Sequence, residues 1–162
     1  VGRVFRFGDH VDTDLIMPGP YLKLGRTELQ APHVLESLRP DFAREVRPGD
    51  IIVAGENFGC GSSREMAVSA LRYLGVTCII AVSLAPIFFR NCVVNGVLPI
   101  QADWARQIED GALLTIGLEE HSVTDMQSRR VWQFPPLPSF VVAVVQCGGL
   151  MPYWRKRGPL HA

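Results

Sequence analysis

The segment Gly59-Cys60-Gly61-Ser62-Ser63-Arg64-Glu65 places two hydroxyls and a guanidinium directly behind a glycine pair. Arginine offers a carboxylate a fork of N–H donors, serine adds hydroxyls, and glycine lets the backbone turn its amides toward an anion. The chemistry this set suggests is the grip of a small carboxylate. Two familiar anion loops do not fit. The phosphate loop of nucleotide hydrolases needs Gly-Lys before its hydroxyl residue, and no Gly-Lys pair occurs in the chain. The dinucleotide fingerprint needs a third glycine where Arg64 stands and an acidic residue about 20 positions on, where the chain reads Ile80-Ala81-Val82-Ser83-Leu84. Spacing alone also leaves a plainer reading open, with Ser62 only a helix cap and Arg64 only a surface charge.

These residues need a strand before them and a helix after. Ile51, Ile52 and Val53 form the short β-branched run of a strand buried in a parallel sheet. Ser62 stands three residues before Glu65, the capping-box spacing, and Ala67, Ala70, Leu71 and Leu74 then give a helix one apolar face. A helix start carries unpaired N–H groups and a partial positive charge, so together with Arg64 it would make an anion site. Gly75 ends this helix and 77–82 reads as a second buried strand, completing a βαβ unit with a right-handed crossover. A short helix over 85–91 with Pro86 in its first turn, a third strand over 97–100 and a short helix over 103–110 follow. Strands are expected over 112–117, 122–125, 130–134 and 140–145, the last two separated by Pro135, Pro136 and Pro138.

Upstream, 1–7 reads as an opening strand and 9–14 as a polar turn holding three aspartates and His10. The calcium-loop pattern fails there, lacking its glycine and late glutamate, so the aspartates are expected to accept backbone hydrogen bonds. Pro18-Gly19-Pro20 breaks the chain, 21–26 reads as a loop mixing basic and apolar residues, and 27–38 is weakly helical with Pro32 near a helix start. A turn at Pro48-Gly49 leads into the central strand.

Sixteen basic residues balance sixteen acidic ones, so no global field draws the chain to nucleic acid or an anionic membrane. Its length suits a single domain spanning 1–162. The largely apolar run 76–89 is too short to span a bilayer and is broken by Ser83 and Pro86. No secretion signal is read at the start, and the cytoplasm is the expected compartment. Cysteines 60, 78, 92 and 147 have neither a Cys-x-x-Cys pair nor the compact spacing that holds zinc or an iron–sulfur cluster; 78 and 92 are expected as buried thiols.

The run from Asn57 to Glu65 resembles the signature of the small, swivelling subunit of 3-isopropylmalate dehydratase, in the aconitase superfamily. Three further motifs resemble that family in the same order: Phe7-Gly8-Asp9-His10-Val11-Asp12-Thr13-Asp14 with Pro18 to Leu22, Phe88-Phe89-Arg90-Asn91 with Gly96, and the closing run from Gly148 to Gly158. The resemblance implies an α/β fold of the swivelling aconitase type, with a mixed sheet, a βαβ unit and flanking helices. It implies a hydro-lyase that interconverts 2- and 3-isopropylmalate by loss and return of water. A large subunit would carry a [4Fe-4S] cluster as Lewis acid on the departing hydroxyl, and this chain would bind none. Ser62 would be the base, stabilised as alkoxide by the helix start, loop amides and Arg64, and Arg64 would clamp a substrate carboxylate. Ser63, Lys23 and Arg26 would bind substrate, the latter two at its variable end, and Asp14, Cys60 and Gly61 would support the site.

Two positions depart from that family. Met66 stands where its motif usually has histidine, and Ser83-Leu84-Ala85-Pro86-Ile87 lacks the usual aromatic and arginine. Homoaconitate, citraconate or dimethylmalate therefore remain alternative substrates. A non-catalytic anion-binding or scaffold module remains the alternative of another class.

Overall fold

The computed structural model describes residues 1–157; the end of the closing motif, Gly158, lies outside the described residues. In chain order the elements are β1 (Gly2–Arg6), α1 (Thr13–Ile16), a 3₁₀ helix (Gly19–Leu24), α2 (Thr27–Gln30), a second 3₁₀ turn (Ala31–His33), α3 (Phe42–Glu45), β2 (Ile51–Ala54), α4 (Glu65–Tyr73), β3 (Cys78–Ala81), α5 (Pro86–Val94), β4 (Leu98–Gln101), a 3₁₀ helix (Asp103–Gln107), β5 (Leu113–Gly117), β6 (Ser122–Asp125), β7 (Val131–Gln133), α6 (Ser139–Gln146) and α7 (Leu150–Arg157).

The seven strands form one mixed sheet in the order β4-β3-β2-β1-β5-β6-β7. β1 to β4 are parallel neighbours, with Ile52 facing Phe5 on one side and Ile79 on the other, whereas β5 runs antiparallel to β1 and starts a meander through β6 and β7. β2 and β3 are buried at every position, as a strand covered on both faces must be. Alternation sorts their side chains. Ile52, Ala54, Ile79 and Ala81 join Leu71 and Phe88 in one cluster, while Ile51, Val53, Cys78 and Ile80 join Ala105, Leu114 and Trp132 in another. β4 lies at the sheet edge, which suits its Pro99, since proline has no N–H to give a further strand.

The expected βαβ unit is present as β2, α4 and β3, with Ala67, Ala70 and Leu71 buried. Five expectations change. The capping box does not form: α4 starts at Glu65 with Arg64 in the cap position and no side-chain cap bond. Residues 19–24 are a 3₁₀ helix rather than a loop, and 27–38 splits into α2 and a 3₁₀ turn that carries Pro32 near its start. The 103–110 helix is a shorter 3₁₀ segment. The run 140–145 is helix α6, not a strand, and its Val144 packs with Val93 and Tyr153 in a small separate cluster. Valine disfavours helix by only a few tenths of a kcal/mol per residue, less than the packing of one buried side chain returns.

Candidate active site

The serine loop sits where three parallel strands end. Leaving β2, it is stitched on one side to the segment after β1, Gly59 N donating to Val11 O at 2.8 Å and Thr13 N to Cys60 O at 2.8 Å. On the other side it meets the segment after β3, Phe58 N donating to Ser83 O at 3.0 Å and Ala85 N to Phe58 O at 3.0 Å. Asp9 accepts the Glu56 N–H at 2.7 Å, which holds its carboxyl below the usual carboxylate range, and Arg106 reaches Glu56 at 2.7 Å. Asp12 caps α1 by accepting Leu15 N–H at 2.8 Å, so two of the three aspartates in the 9–14 turn serve the backbone.

Glycine is required in the loop for two reasons. Gly59 has φ 78°, and a Cβ there would lie 2.1 Å from Cγ of Phe88, whose ring also meets Phe58 edge-on. Gly61 has φ 93°. Both angles belong to the left-handed region that side chains resist.

A cleft of about 160 Å³ opens between this loop and the start of α5, lined by Thr13, Ser62, Ser63 and Arg64 on one side and by Pro86, Ile87 and Asn91 among others on the opposite side. Thr13, buried between two aspartates, donates its hydroxyl to Ser62 O at 2.8 Å and lies 3.5 Å from Ser62 Oγ. The Ser62 hydroxyl is not spent as a cap, and Arg64 in the cap position makes no side-chain cap bond to the first turn of α4. The Arg64 side chain is largely buried; its Nη1 pairs with the Asp14 carboxylate and donates to Met17 O at 3.2 Å. Its other nitrogens make no bond to a described residue, so the guanidinium is fixed along one edge and free along the rest. Hydroxyl, open helix start and anchored guanidinium are together what a carboxylate needs.

The structure brings Ser62, Ser63, Arg64 and Gly61 to one cleft, with Asp14 ion-paired to Arg64 and half-buried Cys60 contributing its carbonyl to Thr13. It does not bring Lys23 or Arg26 there. Lys23 is exposed on the 3₁₀ helix, and Arg26, 74% exposed, pairs with Glu28 at 3.6 Å. Sequence reasoning passed over Thr13 and Asn91, both inside motifs it had singled out. A small hydroxyl residue held between two aspartates was the available signal for Thr13. Met66, just inside α4, is 37% exposed and its sulfur accepts from Gln30 Nε2 at 3.4 Å.

Among the described residues no three His, Cys, Asp or Glu side chains gather to hold a metal ion, and burial pushes the Cys78 and Cys92 thiols up, opposing the thiolate that ligation requires. Likewise, among the described residues no helix is long and apolar enough to cross a membrane.

A mixed sheet delivering a glycine, serine and arginine loop to an open helix start is a recognisable architecture: residues 28–105 match the aconitase C-terminal domain family. Among relatives, the chain is 43% identical to a 3-isopropylmalate dehydratase small subunit of Archaeoglobus fulgidus, covering 94% of this chain and 95% of that one. It is 44% identical to a methanogen homoaconitase small subunit of Methanothermobacter thermautotrophicus, covering 96% and 90%. The crystal structure of a 3-isopropylmalate dehydratase from Methanocaldococcus jannaschii superposes with a TM-score of 0.90 at 40% identity, covering 96% of this chain and 93% of that one. The chain belongs to the 3-isopropylmalate dehydratase small-subunit family, a family of hydro-lyase subunits with the aconitase-type swivelling fold.

Proposed function

We propose that this chain, a single swivelling domain over 1–162, completes the active site of a two-subunit cytoplasmic hydro-lyase that isomerises 2-isopropylmalate to 3-isopropylmalate. The observation that carries this reading is the uncommitted Ser62 hydroxyl beside an open helix start and the partly free Arg64 guanidinium. Arg64, steered by Asp14, takes one substrate carboxylate through paired N–H bonds, and Ser63 adds a second hydroxyl to the grip. Ser62 removes the proton next to that carboxylate. A serine alkoxide is costly in water, and the positive end of α4, loop amides and Arg64 lower that cost. Cys60 and Gly61 hold the loop in shape through backbone geometry. Pro86 and Ile87 form an apolar wall opposite the serines, in keeping with an alkyl-bearing diacid.

The [4Fe-4S] cluster belongs, in this reading, to the large subunit, whose stoichiometry with this chain is one to one in a heterodimer or its duplicate. The test is reconstitution. The chain alone should be colourless and inactive, and anaerobic addition of a cluster-bearing large subunit should produce turnover of 2-isopropylmalate. Turnover by this chain alone would overturn the two-subunit reading.

One observation favours a second substrate. Lys23 is an exposed cation outside the cleft, on the segment that the family resemblance implies for the distal end of the substrate, with Arg26 beyond it, and a relative carries the name homoaconitase small subunit. An ammonium suits a distal carboxylate and not an isopropyl group. Lys23→Ala should leave isopropylmalate turnover unchanged or raised; selective loss of homoaconitate turnover would favour the tricarboxylate.

A further inference from the structure

Thr13 is 2% exposed, one of three buried polar or charged side chains among the described residues, and it lines the cleft from the start of α1. A hydroxyl has one hydrogen to give and two lone pairs to offer. In Thr13 the hydrogen goes to Ser62 O at 2.8 Å, while Ser62 Oγ lies 3.5 Å away, too far for more than a weak bond. One donor thus stands between two acceptors of the same residue, a carbonyl that it holds and a hydroxyl that it does not.

The heavy atoms of Thr13 have little room to move. Its N–H donates to Cys60 O at 2.8 Å and its carbonyl accepts Met17 N–H at 2.9 Å. Asp12 before it caps α1, and Asp14 and Met17 after it are both joined to Arg64. A β-branched side chain is also stiff about χ1. The hydrogen is the free part. Rotation about the Cβ–Oγ1 bond swings it from Ser62 O toward Ser62 Oγ without displacing the backbone.

Charge at Ser62 decides which acceptor wins. Beside a neutral Ser62 hydroxyl, the carbonyl at 2.8 Å is the better partner. Beside an alkoxide the order reverses, because a bond to an ionised acceptor is shorter and roughly twice as strong as a neutral one. Bonds that are long in the free enzyme also tighten as the reaction proceeds. The charged groups nearby do not supply such a donor apart from Arg64. Asp14 is paired with that arginine, Asp12 accepts Leu15 N–H, and Glu65 is exposed in the first turn of α4. All three are carboxylates, whose charge opposes an alkoxide.

We propose that Thr13 is a positioning residue acting as a two-position donor: it holds the Ser62 carbonyl between turnovers and turns its O–H to Ser62 Oγ when that oxygen carries the charge of the base. The inference rests on the reading of Ser62 as base. Thr13 keeps its proton throughout. The proton that moves passes from the carbon beside the substrate carboxylate to Ser62 Oγ, and the C–H electron pair forms the carbon–carbon double bond as the hydroxyl leaves. The Thr13 O–H then returns to the Ser62 carbonyl.

The test is a double-mutant cycle in the enzyme reconstituted with its large subunit. Ser62→Ala removes Oγ but keeps the carbonyl that Thr13 holds, so the two roles separate. With Ser62 present, Thr13→Val should lower kcat by about 10²-fold, as for loss of one donor to an oxyanion, with KM changed by less than about threefold. Thr13→Ser should restore most of that loss. In the Ser62→Ala background, Thr13→Val should cost less than about twofold more. If Thr13→Val fails to fold, Thr13→Ala carries the same comparison in both backgrounds. Equal losses in the two backgrounds would overturn the proposal, leaving Thr13 only as a prop for the Ser62 carbonyl. Unchanged turnover in Thr13→Val with Ser62→Ala crippled would overturn it while sparing the base. Full turnover in Ser62→Ala would instead remove the base reading, and this inference with it.

Discussion

The two halves of the sheet use the same kind of strand to opposite ends. From β1 to β4 every neighbour is parallel, so the chain must cross back over the sheet after β2 and β3, which it does through α4 and α5. Those crossings bring the segments after β1, β2 and β3 to one end, where 12–14, 57–64 and 83–87 meet. From β5 to β7 each strand returns at once through a short turn. No segments converge there. The meander instead supplies Leu114, Val123 and Trp132 to cover one face of β2 and β3, and exposes alternate residues such as Val131. In this fold parallel pairing builds the site and antiparallel pairing buries its support.

If this contrast is right, the largest effects fall on the parallel end. Ser62→Ala should lower kcat of the reconstituted enzyme by about 10²–10⁴-fold, the range for removal of a general base. Its denaturant midpoint should barely move, because Ser62 caps nothing and its Oγ has only a 3.5 Å contact with Thr13. A fall in stability with turnover per folded molecule unchanged would return Ser62 to a structural role.

A pair of alanine substitutions sharpens the comparison. Gly59→Ala forces a Cβ within 2.1 Å of the Phe88 ring at φ 78° and should cost about 3 kcal/mol by urea denaturation, with turnover lost as the loop shifts. In the antiparallel half, Gly117→Ala meets only the ends of the Glu120 and Ser122 side chains, which can swing away. It should cost under about 1 kcal/mol and leave turnover per folded molecule intact. Equal costs at the two positions would remove the distinction. Next in size is Asp14→Asn, which takes the charge from the Arg64 ion pair. It should raise KM about tenfold with kcat changed less, since Arg64 would still be held by Met17 O. An unchanged KM would detach Asp14 from substrate binding.

The parallel half was also the more legible in sequence. The β-branched run of β2, the glycines of the loop and Pro86 at a helix start each follow from local chemistry that tertiary packing reinforces. Misreadings occurred where local preference and packing disagreed. The valines of α6 read as strand because β propensity is a weak measure of what a surface helix tolerates beside Val93 and Tyr153. Ser62 and Glu65 had the capping-box spacing, but Gly61 at φ 93° and the stitching of Cys60 to Thr13 set the loop before the helix begins, moving the cap to Arg64. Four residues of the cleft were legible as a set because they are contiguous. Thr13 arrives from the start of α1 and Asn91 from the middle of α5, so no spacing announces them.

The smallest effect is expected in the meander's last turn. Asp125 accepts Gln127 N–H at 2.8 Å and the Ser128 hydroxyl at 2.7 Å, and these bonds, the Ser128 hydroxyl first, hold its carboxyl below the usual carboxylate range. A carboxylate whose folded pKa is depressed adds stability that is complete above its unfolded pKa and is lost as pH falls through its folded pKa. Asp125→Ala should therefore lower the urea midpoint slightly at neutral pH, and the gap from the parent should close as pH falls through the depressed folded pKa of this carboxyl. Because Asp125 is only partly buried, solvent screens the interaction and the shift should be small. Turnover per folded molecule should be unchanged at all pH values where both proteins are folded, since the turn lies in the half that forms no part of the cleft. A midpoint gap that persists undiminished in acid would mean that the side chain acts through packing or the unfolded state rather than through its charge. A loss of turnover would be more damaging, because it would couple the meander to the chemistry that the parallel strands alone are held to build.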